Sequence, residues 1–299
     1  MKARRSLAER LVLGAPWAWL IVFFLIPFLI VVKISLSEAA LAQPPYKPVF
    51  DLGDGWEALS KLGELSLSAY AGLADDWLYA QAYLSSLRLA FVSTLCTLAL
   101  AYPLAYAMAR APLRLRPILV TLAVAPFWTS FLIRVYAWIT ILRDEGLLNH
   151  ALLWLGLIAE PLHIFASDAA VVIGIVYSYL PFMVLPLYNA IARQPPELLE
   201  AAADLGASPT AAFWRVTVPL SMPGVLAGCL LVFIPAIGEF VIPDLLGGSD
   251  TLMIGRTLWV EFFDNRDWPA ASAVAVVLLA LLLGPMALYE RSQMAEAGS

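Results

Sequence analysis

One carboxylate, Glu239, stands inside a long apolar stretch, in the run Pro235-Ala-Ile-Gly-Glu-Phe-Val-Ile-Pro243. A carboxylate at membrane depth is costly unless it faces a polar cavity or pairs with a cation. The flanking prolines and Gly238 predict a broken or widened helix at that point. A negative group in such an opening, with Phe240 beside it, suits a cation passing through. The competing reading is a buried pair with Arg88 or Arg134, which also fall in apolar runs. Aromatic residues are dense nearby in sequence: Phe127, Trp128, Phe131, Tyr136 and Trp138, then Tyr177, Tyr179 and Phe182. An amine over an aromatic face gains about 0.5–2 kcal/mol. Trp128, Tyr177 and Tyr179 lie beside Pro126 and Pro181 and are candidates for a path. Trp138 reads as membrane-surface belt or packing.

Other chemistry is missing from the pattern. The chain has no phosphate-binding loop of the G-x-x-x-x-G-K-[ST] type and no H-E-x-x-H. His150 and His163 fall in one loop without a partner pattern and read as surface residues. Cys96 and Cys229 are far apart, lack metal spacing, and read as buried small hydrophobes. An enzyme reading has no residues to stand on, and nothing points to nucleic acid or to a cofactor held by this chain.

A second segment, Glu200 to Pro219, has the chemistry of a docking elbow. Pro195 and Pro196 suit a first helical turn, and Glu197 and Glu200 suit its positive end. Helix formers continue to Leu205, and Gly206 can take the left-handed conformation that ends a helix. Ser208 caps a second short helix with Pro209 at its first position, and Pro219 is expected to stop it. Such an elbow transmits force because it resists flexing. The plainer alternative is an amphipathic helix lying at the membrane surface.

The elements that position these residues follow from composition. Apolar residues make up 62% and charged residues 14%, against about 45–50% and about 25% in soluble domains. Six stretches are long enough to span hydrocarbon: about 16–35, 86–109, 117–142, 169–192, 221–245 and 270–289. The chain therefore reads as an all-α membrane protein, one domain over 1–299, with kinked spans and an inter-span loop at 193–220. The first span follows a basic start but exceeds a signal core, so it reads as a retained anchor. Lys2, Arg4, Arg5, Arg10, Arg110, Arg114, Arg116, Arg193, Arg215 and Arg291 share one side if both termini are cytoplasmic. Lys47, Lys61, Arg143, Arg256 and Arg266 fall on the other side, and that bias places the elbow in the cytoplasm. The opposite loops are acidic: Glu38, Asp51, Asp54, Glu57, Glu64, Asp75 and Asp76; then Asp144, Glu145, Glu160 and Asp168; then Asp250, Glu261, Asp264 and Asp267. These residues keep a loop soluble, or they set up a field that gathers a cationic solute or steers a docking protein.

The spacing Glu200-Ala201-Ala202, three residues, Gly206, nine residues, Val216-Thr-Val218-Pro219 resembles the EAA loop of bacterial ABC importer permeases. Val216 and Val218 replace the commoner Ile and Leu and keep the packing apolar. PFWTSFLIRVYAW (126–138), FIPAIGEFVIPDLLGG (233–248) and TLMIGRTLWVEFFDNRDWPAASAVAV (251–276) resemble the permease subunits of bacterial polyamine importers, the putrescine type above all. The resemblance runs from the first span to the last. It implies a six-helix core of the methionine-importer type in the bacterial inner membrane. It also implies a second, similar permease, two cytoplasmic ATPase subunits that hold ATP and magnesium, and a periplasmic polyamine-binding protein. Glu200, Ala201, Ala202, Gly206 and Pro219 would couple to the ATPase. Two rivals compete: an ion-coupled secondary transporter of organic cations, compatible with Glu239 but not with the elbow, and a non-transporting scaffold, which needs no carboxylate at membrane depth.

Overall fold

The computed structural model describes residues 7–50, 53 and 56–297. Lys2, Arg4, Arg5, Asp51 and Asp54 lie outside the described residues, as do the side chains of Arg10, Glu57 and Arg291. The helices run in the order α1 (Leu7–Leu20), α2 (Ile26–Ser35), α3 (Glu57–Leu62), α4 (Ser68–Asp75), α5 (Trp77–Arg110), α6 (Arg116–Val124), α7 (Phe131–Leu142), α8 (Leu147–Trp154), α9 (Asp168–Ala192), α10 (Glu197–Asp204), α11 (Pro209–Ala212), α12 (Val218–Ile237), α13 (Val241–Leu246), α14 (Ile254–Trp259) and α15 (Trp268–Ala297). One antiparallel hairpin interrupts them. β1 (Glu38–Ala39) pairs with β2 (Tyr46–Lys47), Glu38 opposite Lys47 and Ala39 opposite Tyr46.

Among the described residues, four helices are long and apolar enough to cross a membrane: Gly14–Ser35, Trp77–Arg110, Asp168–Ala192 and Pro209–Ile237. The third expected span, 117–142, is not one rod. Its two parts, Arg116–Trp128 and Phe131–Trp154, meet at 87°. Pro126 lies in a 3-10 turn, Ala125–Trp128, and Thr129 is extended, so the helical hydrogen-bond ladder ends there. The last expected span, 270–289, sits in α15, whose apolar part is the shorter Trp268–Gly284. Elsewhere the prolines do not end helices: α5 runs through Pro103, α9 through Pro181 and Pro186, and α12 through Pro223 and Pro235.

The chain divides into two compact units. The first comprises 1–80 and 257–283. In it Lys33 hydrogen-bonds the Pro48 carbonyl and lies 4.3 Å from the Tyr46 ring centre. Ser35 Oγ and Tyr70 Oη are 2.7 Å apart. Tyr79 donates to Glu261 Oε1 at 2.9 Å, and Asn265 Nδ2 donates to Glu261 Oε2 at 2.9 Å. Phe262 stacks on Trp268 at 4.9 Å.

The second unit comprises 81–256 and 284–299. Its core joins small residues of α5, Ala101, Ala105 and Ala109, to Met183, Leu187 and Ile191 of α9 and Val232 of α12. Small residues let helices approach closely where lipid offers no hydrophobic drive for packing. Cys229 is half-buried, but Cys96 is exposed on this chain, and both are free. The expectation that both are buried fails for Cys96, because an apolar position in a span can face lipid or a partner as well as a core.

Candidate functional site

Within the second unit the break at 238–240 separates α12 from α13. Gly255 backs directly onto it: a Cβ there would sit 2.5 Å from the Gly238 carbonyl oxygen and 2.6 Å from that of Glu239. Only a residue without Cβ allows the two backbones that approach. Glu239 is 8% exposed. Its Oε1 accepts from the backbone N–H groups of Val241 at 3.1 Å and Ile242 at 3.4 Å, capping α13. Its Oε2 accepts from Tyr179 Oη at 2.5 Å.

Neither arginine weighed against Glu239 pairs with it. Arg88 pairs with Asp168 at the start of α9, and Thr251 donates to the other Asp168 oxygen at 2.9 Å. Arg134, in the first turn of α7, lies 5.4 Å from the Phe127 ring centre and 5.8 Å from that of Phe131. Glu239 has only neutral hydrogen-bond donors, and no ion pair joins it to a Lys, Arg or His among the described residues.

A row of rings reaches from Arg134 to Glu239. Phe127 packs on Phe182 at 5.2 Å, and Phe182 on Tyr179 at 5.9 Å. Tyr179, Phe182, Leu231, Ile234 and Pro235 line an apolar cavity of about 650 Å³ together with Met286. Of the path candidates, Tyr179 and Glu239 come together, and Phe240 is half-buried next in chain. Tyr177 instead packs edge-on against Trp138 at 5.4 Å, and Trp128 stands 76% exposed. Sequence reasoning set Phe127 and Phe182 among the aromatics but gave them no role; Pro126 and Pro181, one residue away from each, were the available signal.

The elbow has the local form that its residues require. α10 ends in a Schellman turn: Gly206 N–H donates to Ala203 O and Ala207 N–H to Ala202 O, both at 2.9 Å, with Gly206 at φ +80°. Ser208 Oγ caps α11, accepting from Ala211 N–H at 3.2 Å. Glu200 and Ala201 are exposed, and Leu198, Leu205 and Trp214 expose 42%, 90% and 64% of their surface. Pro219 does not stop the helix, contrary to expectation, and the chain stays helical from Pro209 to Ile237. A π turn, Phe213–Thr217, precedes it, with Val218 N–H reaching back to Phe213 O. That longer bond widens the helix just ahead of Pro219, whose ring would otherwise meet the carbonyl four residues back. The same device stands before Pro27, where a π turn runs from Ile21 to Leu25. Phe213 packs edge-on against Tyr102 and Tyr106 of α5 at 5.7 and 5.4 Å, and Gln194 Nε2 donates to Thr217 O at 3.0 Å.

Some of the acidic loop residues are engaged, Asp168 by Arg88 and Thr251, and Glu261 by Tyr79 and Asn265. Asp144 takes His163 Nδ1 at 2.8 Å, so this histidine has a partner after all, 19 residues away. Asp244 meets Arg256 at 3.3 Å. Among the described residues no group of three His, Cys, Asp or Glu side chains could hold a metal ion.

A family model described as the inner membrane component of binding-protein-dependent transport systems matches residues 10–291. The spermidine/putrescine transport system permease protein PotB of Salmonella typhimurium (strain SL1344) is 42% identical over 277 residues, covering 92% of this chain and 90% of that one. PotB of Escherichia coli (strain K12) is 41% identical over 273 residues, with 90% and 92% covered. Among solved structures, a bacterial ABC transporter that imports the acidic polysaccharide alginate superposes with a TM-score of 0.67 at 17% identity, covering 94% of each chain. The inward-facing MetNI methionine ABC transporter gives 0.56 at 18% identity over 73% of this chain and 96% of that one. At these identities the two structures speak for the fold alone.

Proposed function

Because the chain belongs to the family of inner membrane components of binding-protein-dependent transport systems, we propose that it is the permease through which such a system imports polyamines. The chain is a multi-pass membrane transport subunit, and ion-gradient coupling is set aside with that membership. The substrate is a short organic polycation, putrescine or spermidine. Identity of 41–42% over nine-tenths of the chain with permeases named for both supports that class. The observation that carries it in the fold is Glu239: a buried carboxylate with neutral donors only, at a helix break, on a row of aromatic rings. A carboxylate in a poorly solvated path attracts an ammonium group more strongly than one in bulk water.

The remaining assignments follow from this reading. One permease domain, 1–299, crosses the membrane six times with both termini cytoplasmic, the bent α6–α7 pair and α15 supplying the crossings beyond the four long helices. Glu200, Ala201, Ala202 and Gly206 dock an ATPase subunit, and the exposed Leu198, Leu205 and Trp214 supply the apolar contact such docking needs. Pro219 sets the junction between elbow and span. Glu239, Phe240 and Tyr179 line the path, with Tyr177 and Trp128 further from the carboxylate. The partners are a second permease of the same family, two ATPase subunits carrying ATP and magnesium, and a periplasmic polyamine-binding protein.

The test is reconstitution of the assembled complex in proteoliposomes with its binding protein and labelled putrescine. ATP-dependent uptake is expected. Glu239→Gln keeps the shape and both backbone hydrogen bonds, and should lower uptake at least tenfold at normal complex yield. Uptake without ATP dependence would sink the importer reading. Normal uptake at normal yield in Glu239→Gln would remove Glu239 from the path.

A further inference from the structure

Arg134 is 9% exposed, and its Nε and Nη1 are buried with no hydrogen-bond partner. A buried guanidinium with two of its nitrogens left unpaired is expensive, and more so within a membrane segment. Its neighbours are the faces of Phe127 and Phe131, which favour a cation but accept no conventional hydrogen bond. Glu239 shows the converse. It is buried and hydrogen-bonded, and no cationic side chain compensates its charge among the described residues. Each charge stands at a helix break, Arg134 four residues past Ser130 and Glu239 between α12 and α13. α7 packs against α13, and the row Phe127–Phe182–Tyr179 connects the two.

We infer that Arg134 is a tethered rival of the transported cation: its guanidinium leaves the Phe127 and Phe131 rings, takes the Glu239 carboxylate and thereby expels the ammonium group bound there. This rests on the polyamine reading given above. A path must hold its substrate loosely enough to let it go. A lone buried carboxylate on an aromatic row would hold a diamine too well, and a second cation of the protein itself makes release favourable. The planar guanidinium suits the exchange because it can fork onto a carboxylate through two parallel hydrogen bonds, which an ammonium group cannot do. In the described structure the aromatic faces hold Arg134 aside, so the exchange belongs to a different state of the transport cycle.

The experiment measures retention of labelled putrescine by the assembled complex, loaded through its binding protein and arrested with vanadate. Arg134→Gln should hold putrescine about tenfold more tightly and lower steady-state uptake. Arg134→Lys should fall between the two, at about threefold. In a Glu239→Gln background, Arg134→Gln should add nothing. Wild-type retention in an Arg134→Gln complex of normal yield overturns the inference. So does an Arg134→Gln effect that persists undiminished without the Glu239 carboxylate. If Arg134→Gln does not assemble, unchanged retention in Arg134→Lys overturns it instead. Absence of ATP-dependent putrescine uptake by the wild-type complex refutes the polyamine reading and this inference with it, whereas retention indifferent to Arg134 refutes this inference alone.

Discussion

At the scale of single residues, Glu239 was legible because a carboxylate is conspicuous in an apolar run and prolines flanked it. Its partner was not. Tyr179 is 60 residues away, and helical periodicity does not say which face of one span meets which face of another. The same limit hid the Arg88–Asp168 pair and the His163–Asp144 contact, since each joins segments that only tertiary packing brings together. The Tyr179 hydroxyl now gives a prediction. Tyr179→Phe removes the donor on Glu239 Oε2 and keeps the ring in its row. Loss of a hydrogen bond to a charged group costs about 1.5–3 kcal/mol. The purified complex should therefore melt at a lower temperature, and millimolar putrescine should restore more of that loss than it adds to wild type, because an ammonium can take the vacated oxygen. A mutant that melts low and gains no more than wild type would show that Oε2 is closed to cations.

At the scale of elements, the runs around 16–35, 86–109, 169–192 and 221–245 were readable from hydropathy, because length and apolarity alone decide them, although the helix of the last run ends at Ile237 rather than reaching 245. The third span was not. Pro126 marked a possible kink, but an 87° bend requires the ladder to end outright, which depends on Thr129 and Ser130 taking non-helical conformations. The π turn before Pro219 was likewise invisible, since a proline reads locally as a stop and only the continuing helix reveals the shifted hydrogen bond. The elbow was the most legible element, because capping is local: Gly206, Ser208 and Pro209 act through their immediate neighbours. Gly206→Val places a β-branched residue at φ +80°, a strain of roughly 1–3 kcal/mol. Insertion and yield should be normal, while uptake driven by the ATPase falls at least tenfold and the ATPase loses its response to loaded binding protein. Wild-type uptake in Gly206→Val would mean that the elbow does not couple.

At the scale of the whole molecule, membership of the transport family rests on a match across nearly the entire chain, and it assigns a task that no single site reveals. Orientation can be checked directly. With Cys96 and Cys229 replaced, Leu41→Cys should react with an impermeant thiol reagent added outside intact cells, and Leu205→Cys should react only after permeabilisation; both leucines are highly exposed. Reversed reactivity would put the elbow on the wrong side for any ATPase. The unbroken helix from Pro209 to Ile237 has a thermodynamic corollary. At 1.5 Å per residue its 29 residues measure about 44 Å, and it begins in the elbow and ends one residue before the Gly238–Glu239 pair. If nucleotide-driven movement at its lower end changes the affinity for a cation at its upper end by some factor, the cation must change the grip on the ATPase by that same factor. Cargo in the path is then itself an allosteric effector, and the strength of that reciprocal effect measures how stiffly the proline-tolerant turn at 213–217 joins the two ends.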